Sequence, residues 1–275
     1  MTQVTPTLAR DVLRRHGLHA KRSLGQNFLV DPNTARRIVR IADVRPDETI
    51  LEIGPGIGSL TVELAAAAGR VVAVEIDERV AGALREVLDG ASNVYVVEAD
   101  AMTADLGALL PSGGRVVANL PYNIATPLLM RVLDDVDVIT GGLVMVQREV
   151  GERWVAAADA EGYGGTSVHV QLLADAKIEG DVPPTVFLPQ PKVSSVLVSF
   201  SRRTVPAAGV ADVAGFVRFV KDAFGHRRKT LRNSLVAAGR AAPAVEHALE
   251  AAEVDARLRP EQLDMTRLAA VFANL

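Results

Sequence analysis

Between residues 49 and 147, short aliphatic runs alternate with segments of helical periodicity, and nothing else in the chain constrains its fold as strongly. Residues 49–53, 71–75, 94–97, 115–119 and 143–147 read as strands. Residues 59–68, 77–88 and 126–133 between them read as helices, with Asp77 as a capping residue and Thr126 before Pro127 at a helix start. The strand runs do not alternate apolar with polar, so both faces of the sheet are covered. Hydrophobic residues make up 49% of the chain and aromatics only 4%, so the core must be aliphatic. The pattern predicts an α/β fold built on a doubly wound parallel sheet.

Residues 1–48 look helical, with Asp31-Pro32 as a start signal. After about residue 175 the pattern changes. Residues 176–179 and 193–200 read as two further strands, joined by a proline-rich loop running from Val182-Pro183-Pro184 to Pro189-Gln190-Pro191. Residues 204–210 read as a linker, and residues 211–275 show helical periodicity alone. The expected division is a catalytic domain over residues 1–203, including the helical extension 1–48, and a small all-helical domain over residues 204–275.

The chain has no cysteine, which excludes disulfides, thiolate metal sites and a cysteine nucleophile, and no metal site is expected. No apolar run reaches the roughly 18 residues of a membrane span, and no signal-peptide pattern opens the chain, so a soluble, cytoplasmic protein is expected. The net charge of −3 hides an asymmetry. Residues 10–40 and 218–240 each carry a net +6, which leaves −15 for the rest. Two basic segments on an acidic body fit a polyanionic partner, although a charge run by itself is most often a solvated face.

The first strand runs into Gly54-Pro55-Gly56-Ile57-Gly58-Ser59-Leu60-Thr61. Glycines there let the backbone turn tightly and approach a ligand where a Cβ would clash. Glu75 ends the next strand, at a spacing where a carboxylate accepts both hydroxyls of a ribose. Together they predict a nucleoside-containing cofactor without settling which one. Asp100, after the third strand, is placed either to accept an adenine amine or simply to cap the following turn.

The fourth strand ends in Asn119-Leu120-Pro121-Tyr122, which holds no acid, base or nucleophile. An amine on an aromatic base is a poor nucleophile because its lone pair is delocalised into the ring. It needs two hydrogen-bond acceptors rather than a strong base. The Asn119 side-chain oxygen and the Leu120 carbonyl supply them, Pro121 fixes the backbone, and Tyr122 can stack on the base. Such a site works through preorganised dipoles and placement. The electrophile it suits is a sulfonium methyl, and so the cofactor is S-adenosylmethionine.

These residues resemble the ribosomal RNA adenine N6,N6-dimethyltransferases, most closely their bacterial small-subunit (16S) branch. The resemblance runs nearly end to end: Leu24-Gly25-Gln26-Asn27-Phe28-Leu29, the glycine loop, Asn119-Leu120-Pro121-Tyr122, Phe187-Leu188-Pro189-Gln190-Pro191-Lys192-Val193-Ser194-Ser195, and Phe224-Gly225-His226-Arg227-Arg228-Lys229-Thr230-Leu231. It implies a Rossmann-like class I S-adenosylmethionine-dependent methyltransferase sheet with a C-terminal helical domain that meets RNA. It implies cofactor contacts from Gln26, Asn27, Leu29, Gly54, Gly56, Gly58, Glu75, Ile76, Asp100, Ala101 and Asn119. It places a flipped adenine between Tyr122 and Phe187, beside Leu120 and Pro121. Arg22, Lys192, Arg227, Arg228, Lys229 and Arg232 would contact RNA, the last four on one basic helix. The implied partner is 16S rRNA in the 30S subunit, with the enzyme a monomer. A 23S-directed methyltransferase of the macrolide-resistance type and a non-catalytic RNA-binding assembly factor on the same fold are the alternatives. A dinucleotide-dependent oxidoreductase is disfavoured by the Gly-x-Gly-x-Gly spacing.

Overall fold

The computed structural model describes residues 3–19, 25–226 and 228–275, so the expected RNA contacts Arg22 and Arg227 lie outside the described residues. The elements run α1 (Pro6–Arg15), β1 (Phe28–Leu29), α2 (Pro32–Ile41), β2 (Thr49–Ile53), α3 (Ser59–Ala67), β3 (Arg70–Glu75), α4 (Glu78–Val87), β4 (Val94–Glu98), α5 (Leu106–Leu109), β5 (Gly114–Asn119), α6 (Ala125–Asp135) and β6 (Ile139–Gln147). Then come α7 (Arg148–Val155), α8 (Gly165–Leu173), β7 (Ala174–Val182), β8 (Phe187–Leu188), β9 (Ser195–Arg202), α9 (Val213–Phe224), α10 (Leu231–Ala237), α11 (Ala242–Ala251) and α12 (Met265–Ala273).

The expected strands and helices between residues 49 and 147 are all present, and their caps follow the sequence signals. Asp31 accepts the Asn33 and Thr34 amides ahead of Pro32, and Asp77 accepts the Arg79 amide at the start of α4. The seven-stranded sheet has the order β4-β3-β2-β5-β6-β9-β7. The ladders among β2 to β6 are parallel, whereas β9 runs antiparallel to β6. The sheet is therefore mixed rather than wholly parallel.

The all-helical reading of residues 1–48 is corrected as well. Phe28 and Leu29 form β1, which pairs antiparallel with β8 in the register Phe28↔Leu188 and Leu29↔Phe187. A strand of two residues has no period to read, and its partner lies far along the chain.

The chain forms two compact units. The first takes residues 1–151 and 177–201 and holds most of the sheet. Its core includes Ile38, Ile50, Leu64, Val117, Leu143 and Leu197. The second takes residues 152–176 and 202–275, so the boundary expected near residue 204 omits a segment. The physical reason is apolar burial. Val168 and Leu172 of α8 are fully buried and pack in one cluster with Phe216, Phe219, Leu231, Leu235 and Leu268. Helix α8 went unread because its valines, threonine and serine are indifferent helix formers, and packing overrides that preference. Trp154 is fully buried. The Phe216, Phe219 and Phe272 rings meet at 5.4–5.8 Å.

Candidate active site

Parallel strands β2, β3, β4 and β5 end at one edge of the sheet, at Ile53, Glu75, Glu98 and Asn119. One pocket at that edge brings together Gln26, Asn27, Leu29, Gly54, Gly56, Glu75, Ile76, Asp100, Ala101, Asn119, Leu120, Pro121 and Tyr122, all named from the sequence.

The glycine loop forms one wall. Gly54 and Gly56 have φ of +69° and +57°, a region that disfavours any side chain. A Cβ on Gly56 would lie 2.8 Å from the Phe28 ring, and one on Gly54 would lie 3.1 Å from Pro121. The third glycine plays a different part. Gly58 does not line the pocket; its left-handed backbone caps α3, and the space beside it is taken by Leu84.

Glu75 is 4% exposed. Its Oε2 accepts the Gly56 amide at 3.3 Å and its Oε1 the Asp77 amide at 3.0 Å. Burial raises its carboxyl above the ordinary value, and these two amides offset part of the rise. Ile76 beside it is 54% exposed, an apolar surface left at the pocket. Behind the loop, Glu52 is 1% exposed, and burial pushes its carboxyl up to about 8, with the Thr61 hydroxyl opposing the rise and the Glu75 charge adding to it. Burial thus favours the neutral form of Glu52.

The facing wall is the turn after β5. The Leu120 amide donates to the Met145 carbonyl at 3.1 Å, and the Ile124 amide closes the turn onto the Pro121 carbonyl at 3.1 Å. Asn119 Nδ2 donates to the Asn27 carbonyl at 3.2 Å. That contact fixes the amide's orientation and leaves Asn119 Oδ1 buried with no hydrogen-bond partner among the described residues. Other buried atoms, such as Ser234 Oγ, are unpaired too, but Asn119 lies on the pocket wall, where its oxygen can take a ligand's N–H. Tyr122 is half-buried, and its hydroxyl lies 2.6 Å from Oγ of the fully buried Ser195. Desolvation raises the Tyr122 phenol above its ordinary value, with the Ser195 hydroxyl acting the other way.

The third wall is the segment Gln26–Leu29. The Ser59 hydroxyl donates to the Leu29 carbonyl, and the Val30 amide donates to the Val186 carbonyl at 2.9 Å.

Not every expected residue joins the site. Phe187 is 2% exposed, packs in the core with Leu29, Ile38 and Leu197, and is absent from the pocket lining. No face of the ring is open to a base, so the expectation of a stacking partner opposite Tyr122 is corrected: pairing β8 with β1 turns the side chain inward. Lys192 is exposed, beside a second groove that it lines with Arg10, Arg14 and His19. Arg228 and Lys229 are exposed, but they lie in the turn between α9 and α10 rather than on a helix. Thr230 starts the next helix by accepting the Asn233 amide. The Arg232 guanidinium is paired with Glu246 of α11, with Nε at 2.9 Å, in an exposed ion pair. Ser195 was not singled out as a site residue, and only its contact with the Tyr122 hydroxyl reveals it. Among the described residues there is no cluster fit to hold a metal ion, and no helix is long and apolar enough to cross a membrane.

The profile of the family described as "Ribosomal RNA adenine dimethylase" matches residues 17–269. This chain belongs to that family. The dimethylase is 43% identical to the Ribosomal RNA small subunit methyltransferase A of Moorella thermoacetica, over 98% of each chain. It is 45% identical to the protein of the same name in Kineococcus radiotolerans, over 96% of this chain and 89% of that one. Among solved structures it is similar to the 23S rRNA methyltransferase ErmE, at 30% identity and a TM-score of 0.70, covering 90% of this chain and 99% of that one. A dimethyladenosine transferase from Plasmodium falciparum, at 23% identity and a TM-score of 0.76, covers 89% of this chain and 95% of that one and shares the fold.

The dimethylase is an S-adenosylmethionine-dependent enzyme that methylates adenine in ribosomal RNA. The pocket fits that cofactor on its own geometry: two glycines where a Cβ has no room, a buried carboxylate beside an apolar patch, and an unpaired amide oxygen. When bound, the cofactor supplies a methyl group carried on a sulfonium.

Proposed function

We propose that this dimethylase acts on the small ribosomal subunit, methylating the N6 amines of two adjacent adenosines in a hairpin loop near the 3′ end of 16S rRNA late in 30S assembly. The observation that carries the reading of the chemistry is Asn119 Oδ1, buried and unpaired at the end of β5. The target amine donates one N–H to that oxygen and the other to the Leu120 carbonyl. The nitrogen lone pair is then turned out of the ring plane toward the methyl. With the cofactor bound, the N–C bond would form as the methyl's bond to sulfur breaks, leaving S-adenosylhomocysteine; the charge on nitrogen would be met by fixed dipoles and its extra proton would pass to water, so no general base is required at the attacking step.

Glu75 accepts the ribose hydroxyls, Asp100 the adenine amine, and Gly54, Gly56 and the Gln26–Leu29 segment enclose the methionine end. Tyr122 covers one face of the extruded base, whose departure from the stack costs a few kcal/mol. The small-subunit assignment is supported by identities of 43% and 45% with proteins named for that subunit, against 30% with the 23S enzyme. The helical unit, with Arg228 and Lys229 exposed at one turn, holds the RNA. The enzyme works as a monomer in the cytoplasm.

The test is to supply S-adenosylmethionine carrying a labelled methyl to undermethylated 30S and 50S particles. Label is expected in 30S particles at two neighbouring adenosines, as dimethyladenosine. Label confined to 50S particles assigns the enzyme to 23S rRNA, and label in neither leaves a non-catalytic assembly factor.

A further inference from the structure

The turn that follows β4 carries Asp100, and a side chain from elsewhere in the fold braces it. The chain wraps back around Asp100. The Thr103 and Ala104 amides donate to its carbonyl at 3.0 and 2.8 Å, and the Met102 amide donates to its Oδ1 at 2.8 Å. A single helical turn of this kind leaves its following carbonyls without intrahelical donors. Two of them are met by the guanidinium of Arg131. Its Nη1 donates to the Ala101 carbonyl, and its Nη2 donates to the Ala104 carbonyl at 2.5 Å.

Arg131 belongs to α6, the helix that grows out of the Asn119–Tyr122 turn. Its side chain is half-buried, and among the described residues it makes no ion pair. Arg85 pairs with Glu98 and Arg257 with Asp255, whereas Arg79, like Arg131, meets two carbonyls, those of His16 and Gly17, but from an exposed position. Taking a cation partly out of water toward neutral carbonyls alone costs solvation, and only the shape of the turn gains by it. The planar fork of arginine spans two acceptors at once, which a lysine ammonium does not. Ala101, one of the two residues it holds, is 5% exposed and lines the pocket.

We propose that Arg131 is a positioning residue for cofactor selection: by clamping the Ala101 and Ala104 carbonyls it sets Asp100 so that the carboxylate oxygen left free, Oδ2, accepts the adenine amine. The proposal rests on the reading of Asp100 as the adenine acceptor. It gives α6 two duties, the target amine just ahead of its start and the cofactor's base from its second turn.

Calorimetry separates the proposal from the reading beneath it. Two ligands are compared: S-adenosylhomocysteine, and its analogue with hydrogen in place of the adenine 6-amino group. The wild type is expected to prefer the amine by about tenfold, the worth of one hydrogen bond to a charged group. Asp100→Ala should erase that preference; if it does not, or if the wild type has none, Asp100 is not the acceptor and the proposal falls with it. Arg131→Met keeps the apolar stem and removes the donors. It should reduce the preference to within about twofold and leave the affinity for the analogue nearly unchanged. If Asp100→Ala erases the preference while Arg131→Met keeps it, the reading of Asp100 stands and the Arg131 proposal is overturned. Equal weakening of both ligands by Arg131→Met overturns it too, because that is what general loosening of the loop would do. Should Arg131→Met fail to fold, Arg131→Lys carries the test, with an expected preference of about threefold because it reaches one carbonyl; a full tenfold there overturns the proposal.

Discussion

On the wall built from the glycine loop and β3, both Glu75 oxygens already accept backbone amides, from Gly56 and Asp77. On the wall built from the turn after β5, Asn119 Oδ1 accepts nothing from any described residue. Both groups are polar and lie at the end of a parallel strand, yet one is satisfied and the other is not. The cofactor wall is a socket whose charge is steadied by its own backbone before a ligand arrives. The target wall holds an acceptor in reserve, and folding bears the cost of leaving it unpaired, about 1–3 kcal/mol for a buried polar group. The difference separates holding from reacting: affinity should follow the first wall and rate the second.

The largest expected effect lies beneath both walls. Phe187→Ala removes a ring that is 2% exposed and should cost roughly 3–5 kcal/mol of stability. Thermal unfolding checks this, and a melting temperature close to wild type with methylation lost would return the ring to the role of base stacker.

Asn119→Ala tests the reserve acceptor. The single-turnover methylation rate should fall about 10²–10³-fold, while S-adenosylhomocysteine binding is weakened but measurable. A near wild-type rate would mean that the unpaired oxygen has no part in the reaction.

Glu75 should show the opposite profile. Glu75→Ala is expected to raise the cofactor dissociation constant at least about tenfold, ~1.4 kcal/mol. The pH dependence has a fixed sign. The buried carboxyl titrates above the ordinary 4.5, and its acceptor role toward ribose needs the ionised form. Affinity should therefore weaken as pH falls through that raised value, sooner than for an exposed glutamate. Glu75→Gln should bind more weakly and show a flatter profile in calorimetry from pH 5 to 8.

The smallest effect concerns the hydroxyl pair. Ser195→Ala and Tyr122→Phe each remove one end of the 2.6 Å contact and should each cost about 1 kcal/mol in kcat/KM. Because they delete the same bond, the double variant should cost no more than either single one. Additive losses would show that the two hydroxyls act separately.

How much of this was legible in the sequence depended on the range of the contacts involved. Glu75, Asn119 and the glycines sit at the ends of aliphatic runs that announce themselves locally, so both the strand and its terminal residue could be read. Asp77 and Asp31 were legible as caps for the same reason. Phe187 was not, because nothing near it shows that β8 pairs with β1 and turns its ring inward. Nor were Ser195, which matters through a hydroxyl on another strand's turn, and the pairing of Arg232 with Glu246 of a later helix. Helix α8 was hidden by residues with little helical preference, whose apolar side chains find their partners only in the second unit. The mixed sheet was missed because the return of β9 alongside β6 leaves no mark in either strand.

The fastening of the Gln26–Leu29 segment also sets an order in time. Its carbonyls are tied to Ser59 and Asn119, and its strand is paired with Phe187 and Leu188. On a translating ribosome the glycine loop and the Asn119 turn emerge long before β8. The nascent chain therefore carries both chemical walls without the third wall's final attachment. Cofactor binding stabilises the finished sheet unit, and that gain grows only with the logarithm of ligand concentration over dissociation constant. The third wall cannot be closed by its native pairing until Phe187 and Leu188 have been made, so completion of this pocket depends on two residues of strand.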